Sequence, residues 1–357
     1  MKFCDVLEIR NGKNQRKVEN PNGKYPIYGS GGIMGWADDY ICPANTVIIG
    51  RKGSINNPIY ADTPFWNVDT AFGLVAKPEI LLPKYLYYFC CSFNFETLNT
   101  TVTIPSLTKV NLLQIDIDVP SLEEQQKVVE TLDCIAEAEK ILKDQISHMD
   151  DLVKSRFIEM FGEPHHSTLF PYKKVRDFTE VRSGGTPSRK QDSYWRNGSI
   201  RWVKTTELQN NEIYDTEEKI TPEAVEHSSA KFVPEDTVLI AMYGQGKTRG
   251  MTAYLKAECT TNQACACILP SNSINQKYLW RYFMMSYEQL RELAQGAGQP
   301  NLTGEMIKNF PVLMPPQELQ EQYVAFAELA DKSELVIREL LEKHQLMKEA
   351  LMQEYFG

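Results

Sequence analysis

The stretch from Pro120 to Gly162 comes back, at the same length, as the last 43 residues of the chain, Pro315 to Gly357. Pro120, Glu123, Gln125, Val129 and the pair Phe161-Gly162 stand opposite Pro315, Glu318, Gln320, Val324 and Phe356-Gly357, all at an offset of 195 without a gap. A register held that long points to duplication, and two copies of one segment are constrained to fold alike.

The first copy carries a helical signal. Val128, Leu132, Ile135, Leu142, Ile146, Met149, Val153 and Met160 follow a 4-3 alternation with Glu139 as its polar interruption, which is a heptad seam. Ser121 with Glu124 forms a capping box that offers partners to the first-turn amides, and Gly162 followed by Pro164 is a stop. Some 40 residues at 1.5 Å each make a rod of roughly 60 Å. In the second copy Phe326, Leu329, Val336, Leu340 and Met347 share one face, with Ser333 and Lys343 interrupting it. Two seams predict that the rods pack on each other as an antiparallel coiled-coil pair acting as a spacer, since an isolated solvated rod needs no seam.

The repeat continues outside the rods. Pro105-Ser106-Leu107-Thr108 matches Pro300-Asn301-Leu302-Thr303 at 195, Lys84-Tyr85-Leu86 matches Lys277-Tyr278-Leu279 at 193, and Thr46-Val47 matches Thr237-Val238 at 191. Lys2, Asp5, Arg10 and Gly12 match Lys174, Asp177, Arg182 and Gly184 at 172. The second globular half is therefore 23 residues longer, mostly between Gly184 and Thr237. The expected layout is α+β: a mixed domain over 1–119, a rod over 120–162, a linker over 163–172 containing Pro164 and Pro171, a second mixed domain over 173–314, and a second rod over 315–357. Strands are expected at Thr46–Gly50, Phe72–Ala76, Ser199–Lys204 and Thr237–Met242, and a short buried helix at Tyr85–Cys91.

Composition matters for what it excludes. With 42% hydrophobic and 24% charged residues the chain is of ordinary soluble type, no run approaches 18 apolar residues, and Met-Lys-Phe-Cys-Asp is not a secretory start, so a cytoplasmic location with no membrane partner is expected. Eight cysteines without a C-x-x-C pair predict reduced, mostly buried thiols rather than a zinc or redox site. His148, His165, His166, His227 and His344 read as solvated surface histidines. The net charge of −9 argues against a nucleic-acid partner until it is partitioned: residues 121–162 hold ten acids against five bases and 316–357 nine against four, leaving the globular halves at +1. Any basic patch must then be local.

Ala241-Met-Tyr-Gly-Gln-Gly-Lys247-Thr248 satisfies a relaxed phosphate-loop pattern after a strand. A true phosphate loop opens a helix at that Lys-Thr, and Arg249-Gly250-Met251-Thr252 instead breaks one. Other enzyme constellations are missing from the sequence: it has no G-x-S-x-G, no H-E-x-x-H and no Asn-Pro-Pro-aromatic stretch of the kind that holds a flipped base. What recurs in both halves is base, glycine and hydroxyl or amide together. The first half offers Arg10, Lys13, Ser30, Arg51 and Lys52; the second offers Arg182, Thr186, Arg189, Lys190, Lys204, Thr205, Tyr243, Gln245, Lys247 and Arg249. Glycine admits a backbone close to a phosphate, Lys and Arg neutralise it, and Arg and Gln pair bidentately with base edges. These are the candidate DNA contacts.

Two globular domains, each followed by a long helix opening with a Pro-x-x-Glu-x-Gln-like sequence, with Ser183-Gly-Gly-Thr-Pro-Ser188, Thr261-Asn262-Gln263-Ala264 and Asn301-Leu302-Thr303, resemble the DNA-specificity subunits of Type I restriction-modification systems. The first half departs from the family wording, with Asn11-Gly12-Lys13 for Gly-Gly-Thr and Asp69-Thr70-Ala71 for Asn-Gln-Ala. The resemblance implies two target-recognition domains on a bipartite double-stranded DNA site, with rods that set the spacing and dock two modification subunits and the restriction subunits. It further implies a chain without catalytic residues, whose partners bind S-adenosylmethionine and ATP. The alternative from the residues alone is a nucleotide-binding enzyme using Ala241–Thr248.

Overall fold

The computed structural model describes residues 1–98, 106–244, 246–294 and 301–357. The chain forms two compact units, Met1–Gln145 with Ile337–Gly357, and Ile146–Val336. Pro105, Pro300 and Gln245 lie outside the described residues.

In the first unit a sheet runs in the order Leu7–Asn11, Ala71–Ala76, Thr46–Gly50, Ile59–Ala61, every pair antiparallel. The second unit repeats that order with Val181–Ser183, Cys265–Ile268, Val238–Ala241 and Thr252–Leu255, again antiparallel throughout, and adds Asn211–Ile213 parallel to the last strand. The smaller sheets correspond too. Tyr25–Gly29 lies between Gly32–Ala37, antiparallel, and Trp66–Asn67, parallel. Ile200–Val203 lies between Glu218–Ile220, antiparallel, and Cys259–Thr261, parallel. Where the first half makes a tight turn at Ser30-Gly31, the second inserts residues 204–217, which contain the added strand. Much of its extra length is placed there.

The central strands are apolar in an unbroken run because both of their faces are covered, which is what a half-solvated strand would not tolerate. Val47 and Ile49 enter one core and Ile48 another; Val238 and Ile240 likewise part company with Leu239 and Ala241. The short helices Pro83–Ser92 and Gln276–Met285 supply the cover on one face.

The two 40-residue helices, Leu122–Phe161 and Gln317–Phe356, run antiparallel within each unit. In the first, Phe356 packs on Tyr85 at 5.1 Å between ring centres while Lys348 meets Glu139 at 3.2 Å. In the second, Phe161 and Phe157 pack on Tyr323 at 5.7 and 5.3 Å, and Arg156 lies over Phe326. Phe161 also packs on Tyr278 at 5.4 Å, the counterpart of Phe356 on Tyr85. Each globular half thus holds the start of its own helix and the end of the other's.

The first seam is buried at Leu132, Ile135 and Leu142, and its interruption Glu139 is only 7% exposed, held by Lys348. The second seam is a correction. Leu329, Val336, Leu340 and Met347 are 66, 64, 42 and 46% exposed, and the buried face is instead Gln320, Tyr323, Val324, Ala327 and Ala330. Phe157 and Phe161 project from the first helix into this core and pack on Tyr323, so the second helix turns Tyr323, Val324 and Ala327 inward with them while its larger aliphatic side chains lie on other faces. Phe157 and Phe161, both fully buried, lie outside the heptad series read from the sequence.

The thiols are all free, but Cys4, Cys91 and Cys134 reach the surface, so the expectation of burial holds for five of the eight. Cys134 is exposed because it precedes the buried seam position Ile135 by one residue, about 100° around the helix. His165 also departs from its reading as a solvated residue. Its ring lies edge-on to Tyr282 and Phe310, and Nε2 sits 2.9 Å from Ser286 Oγ. Burial, then the neighbouring His166, pushes its pKa below the ordinary 6.5. Below that ordinary value the unfolded chain binds a proton that the folded chain resists, so stability falls as pH drops through and below 6.5. We expect the urea midpoint of the second unit to decline between pH 7 and pH 5.5, and the His165→Gln chain to show a shallower decline.

Candidate nucleic-acid interface

In the first unit the glycine-rich loops converge on one turn, Asn67–Ala71. Gly12 donates its N–H to the Ala71 carbonyl at 3.2 Å, Lys13 to Asn67 at 2.9 Å and Arg51 to Thr70 at 2.7 Å, while Val68 donates to Tyr28 at 3.0 Å. Ser30 abuts the strand end, since a Cβ placed on Gly50 would lie 3.1 Å from the Ser30 Cβ. Three separate loops are thereby fixed at one end of the sheet.

The second unit builds the same hub on Thr261-Asn262-Gln263-Ala264. Gly185 donates to the Thr261 carbonyl at 2.8 Å, Asn262 to Val203 at 3.0 Å and Met242 to Ala264 at 2.8 Å. The glycines are required by proximity: a Cβ on Gly12 would fall 1.7 Å from the Val68 carbonyl oxygen, and one on Gly184 2.2 Å from that of Thr261. The Leu-Thr motif closes both hubs. Leu107 donates to the Arg51 carbonyl at 2.9 Å and Leu302 to Met242 at 3.0 Å, positions related by the repeat.

The candidate residues fare differently around these hubs. Lys13, Arg51, Lys52, Lys190 and Lys247 are exposed, and Ser30 and Thr205 half-buried. Arg10 is occupied locally, with Nη1 donating to the Ile41 carbonyl at 2.7 Å and Nε 3.4 Å from Glu8. Arg182 is bidentate with Glu180, at 2.7 and 2.8 Å, which lowers the Glu180 pKa and raises that of the guanidinium. Thr186 hydrogen-bonds Gln263. Arg189 and Lys204 are brought together on Glu218, Lys204 also reaching Glu217 at 2.8 Å. The hydrogen bond from Arg189 holds the Glu218 carboxyl below its usual range, and that with Glu217 raises the Lys204 ammonium. Arg189 additionally lies against two aromatic rings set edge to face, 3.6 Å from the Trp195 ring centre and 5.0 Å from that of Trp202. Exposed pairs such as these contribute little to stability; their effect is to hold the long side chains in place.

The segment after Ala241 is a loop, as the sequence predicts. Gly244, Gly246 and Gly250 have φ of +146, +57 and +87°, turns follow, and the next regular element is the strand Thr252–Leu255. No helix starts at Lys247, so the amide cradle of a phosphate loop is not formed. Tyr243 is 42% exposed at the loop's start, and Arg249 is half-buried. Gln263, Glu218 and the two tryptophans escaped the sequence reading. Gln263 alone carried a signal there, as part of the Thr-Asn-Gln-Ala motif.

A duplicated α+β unit with twin loop hubs, joined by two long helices, is the architecture of a recognised class: the profile of the Type I restriction modification DNA specificity domain matches residues 1–148 and 170–342. The chain belongs to that family. Among curated proteins it is 31% identical over 179 residues to the Type I restriction enzyme MjaIX specificity subunit of Methanocaldococcus jannaschii, covering 48% of this chain and 40% of that protein. It is 26% identical over 172 residues to the EcoR124I/EcoR124II specificity subunit of Escherichia coli, covering 48% and 42%. The matched segment thus spans less than half the length of either relative. The crystal structure of a Type I restriction-modification S subunit from M. genitalium superposes with a TM-score of 0.67 at 16% identity, covering 100% of this chain and 95% of that one. A chain from a structural study of complex assembly in the type I restriction-modification system gives 0.63 at 15% identity, covering 100% and 96%. At these identities the two structures establish the fold.

Proposed function

We propose that the chain is the sequence-reading component of a Type I restriction-modification complex, non-catalytic itself, in which each unit reads one part of a split double-stranded DNA site. The observation that carries this reading is that the same loop hub is built twice, at corresponding positions of the repeat, in one polypeptide. Phosphate and base contacts come from Lys13, Ser30, Arg51 and Lys52 in the first unit and from Thr186, Arg189, Lys190, Lys204, Thr205, Tyr243 and Lys247 in the second. Arg10, Arg182, Gln245 and Arg249 complete the set.

Partner docking falls on the long helices. The second helix exposes Leu329, Leu335 and Val336 in one unit and Leu340, Leu346 and Met347 in the other, and the first helix exposes Ile141 and Leu152. Exposed aliphatic rows on acidic helices suit protein rather than DNA. The modification subunits dock there, and they and the restriction subunits supply S-adenosylmethionine and ATP chemistry.

Exchanging residues 1–119 for those of a relative with a different target is expected to change one half of the methylated sequence, read by methylome sequencing of cells carrying the full system. A change in both halves would sink the reading. Equilibrium dialysis with ATP on the isolated chain separates the nucleotide-binding alternative, which requires binding lost in Lys247→Ala.

A further inference from the structure

Residues 246–250 of the loop after Tyr243 are held from behind by a short helix that no sequence motif marked. In Tyr287–Leu293, the two N–H groups of Arg291 Nη1 are shared among the Gly246 carbonyl at 2.9 Å, the Arg249 carbonyl at 3.0 Å and the Tyr287 hydroxyl oxygen at 3.1 Å. That hydroxyl in turn donates to the Lys247 carbonyl at 2.8 Å. Three carbonyls of one loop are gathered by one guanidinium and one phenol. Gly250 seats the loop on the same helix, since a Cβ there would lie 3.4 Å from Arg291 Cγ and from Tyr287 Cδ2. The three glycines with positive φ leave the loop many alternative conformations. Fixed carbonyls select among them.

The first half fills the corresponding places differently. At the 193-residue offset Asn94 and Leu98 stand for Tyr287 and Arg291. Asn94 accepts from Asn56 Nδ2 at 2.9 Å, and Asn56 Oδ1 accepts from the Phe95 N–H at 2.8 Å. A bracing contact after the short helix recurs with another chemistry, so the two units set this loop independently.

We infer that Arg291, with Tyr287, is a specificity-determining positioning residue: it touches no base but fixes the loop that presents Tyr243 and Lys247 to the DNA of the second half-site. The inference rests on the DNA-reading function proposed above. All three acceptors are met by the one nitrogen Nη1, which the planar guanidinium holds in a pre-organised position that the flexible stem of a lysine ammonium does not reproduce.

The test uses the full complex with its modification subunits and measures methylation of cognate sites against sites carrying single mismatches. Arg291→Ala and Tyr287→Phe are expected to lower discrimination at one or more positions of the second half-site by about tenfold, a contact-sized effect, with the first half-site read as before. Arg291→Lys, which keeps the charge, is expected to preserve the salt dependence of binding without restoring discrimination. Tyr287→Phe removes one hydroxyl at constant shape, so it remains informative where Arg291→Ala fails to fold. Uniformly weakened binding to all sequences, or unchanged discrimination in Tyr287→Phe, would overturn the inference. Lys247→Ala and the 1–119 exchange report on the underlying reading separately: two half-sites still read independently, with discrimination indifferent to Tyr287 and Arg291, would remove the positioning role alone.

Discussion

Phe157→Ala is expected to destabilise the second unit by about 3–5 kcal/mol, the range for truncating a buried aromatic that leaves a cavity. Phe157 is fully buried. It packs edge-on against Phe161 at 5.0 Å and Tyr323 at 5.3 Å, and stacks with Tyr278 at 6.0 Å. These partners come from three stretches distant in sequence, and Tyr278 is pinned further by donating its hydroxyl to the Leu313 carbonyl at 3.1 Å. Neighbours held in this way cannot collapse into the space, so the cavity term is retained. Urea unfolding followed by the fluorescence of Trp195, Trp202 and Trp280 reports on this unit. A shift under about 1 kcal/mol would show that the helix end is not part of its core.

Gln320→Leu should cost about 2–6 kcal/mol and Gln125→Leu at least as much, because the first strands two backbone groups and the second three, at roughly 1–3 kcal/mol apiece. Gln125 is fully buried and Gln320 2% exposed. Gln125 accepts from the Leu82 N–H at 2.8 Å and donates to the Ile80 and Pro120 carbonyls, both at 2.9 Å; Gln320 accepts from the Asn275 N–H at 2.8 Å and donates to the Pro315 carbonyl at 2.7 Å. Both thus tie the start of a long helix to the start of the short helix beside it. Lys84 with Asp133, and Lys277 with Glu328, repeat that tie one turn or more along the rod. Each variant should lower the stability of its own unit, measured by urea unfolding. Wild-type midpoints in both variants would mean that the two glutamines only mark ancestry.

These residues show where legibility ended. Gln125 and Gln320 were visible in the sequence as a repeat at a constant offset, yet nothing there indicated that they join helix to domain. The first heptad seam was legible because its apolar residues outnumber the interruptions; Leu132, Ile135 and Leu142 are buried as read, and its other members are half-buried. The second was misread because periodicity ranks faces by hydrophobicity alone. The face chosen in the fold is that of Tyr323, Val324, Ala327 and Ala330, with Tyr323 packed on Phe157 and Phe161. The loop residues were legible by type, since glycine beside Lys or Arg is a local pattern. Their bracing by Arg291 and Tyr287 was not, because the acceptors are backbone carbonyls that leave no trace in residue identity.

By itself, the amino-acid order determined that this protein is one unit written twice and that each copy ends in a long helix. Those properties follow from local periodicity and from residues matched at constant offsets. Only the tertiary structure decided that each helix ends in the core of the opposite half, that three or more loops in each half gather on a single turn, and which face of the terminal helix stays outside. Such outcomes depend on which distant groups satisfy one another's volume and hydrogen bonds, a property of the packed chain that no single segment carries.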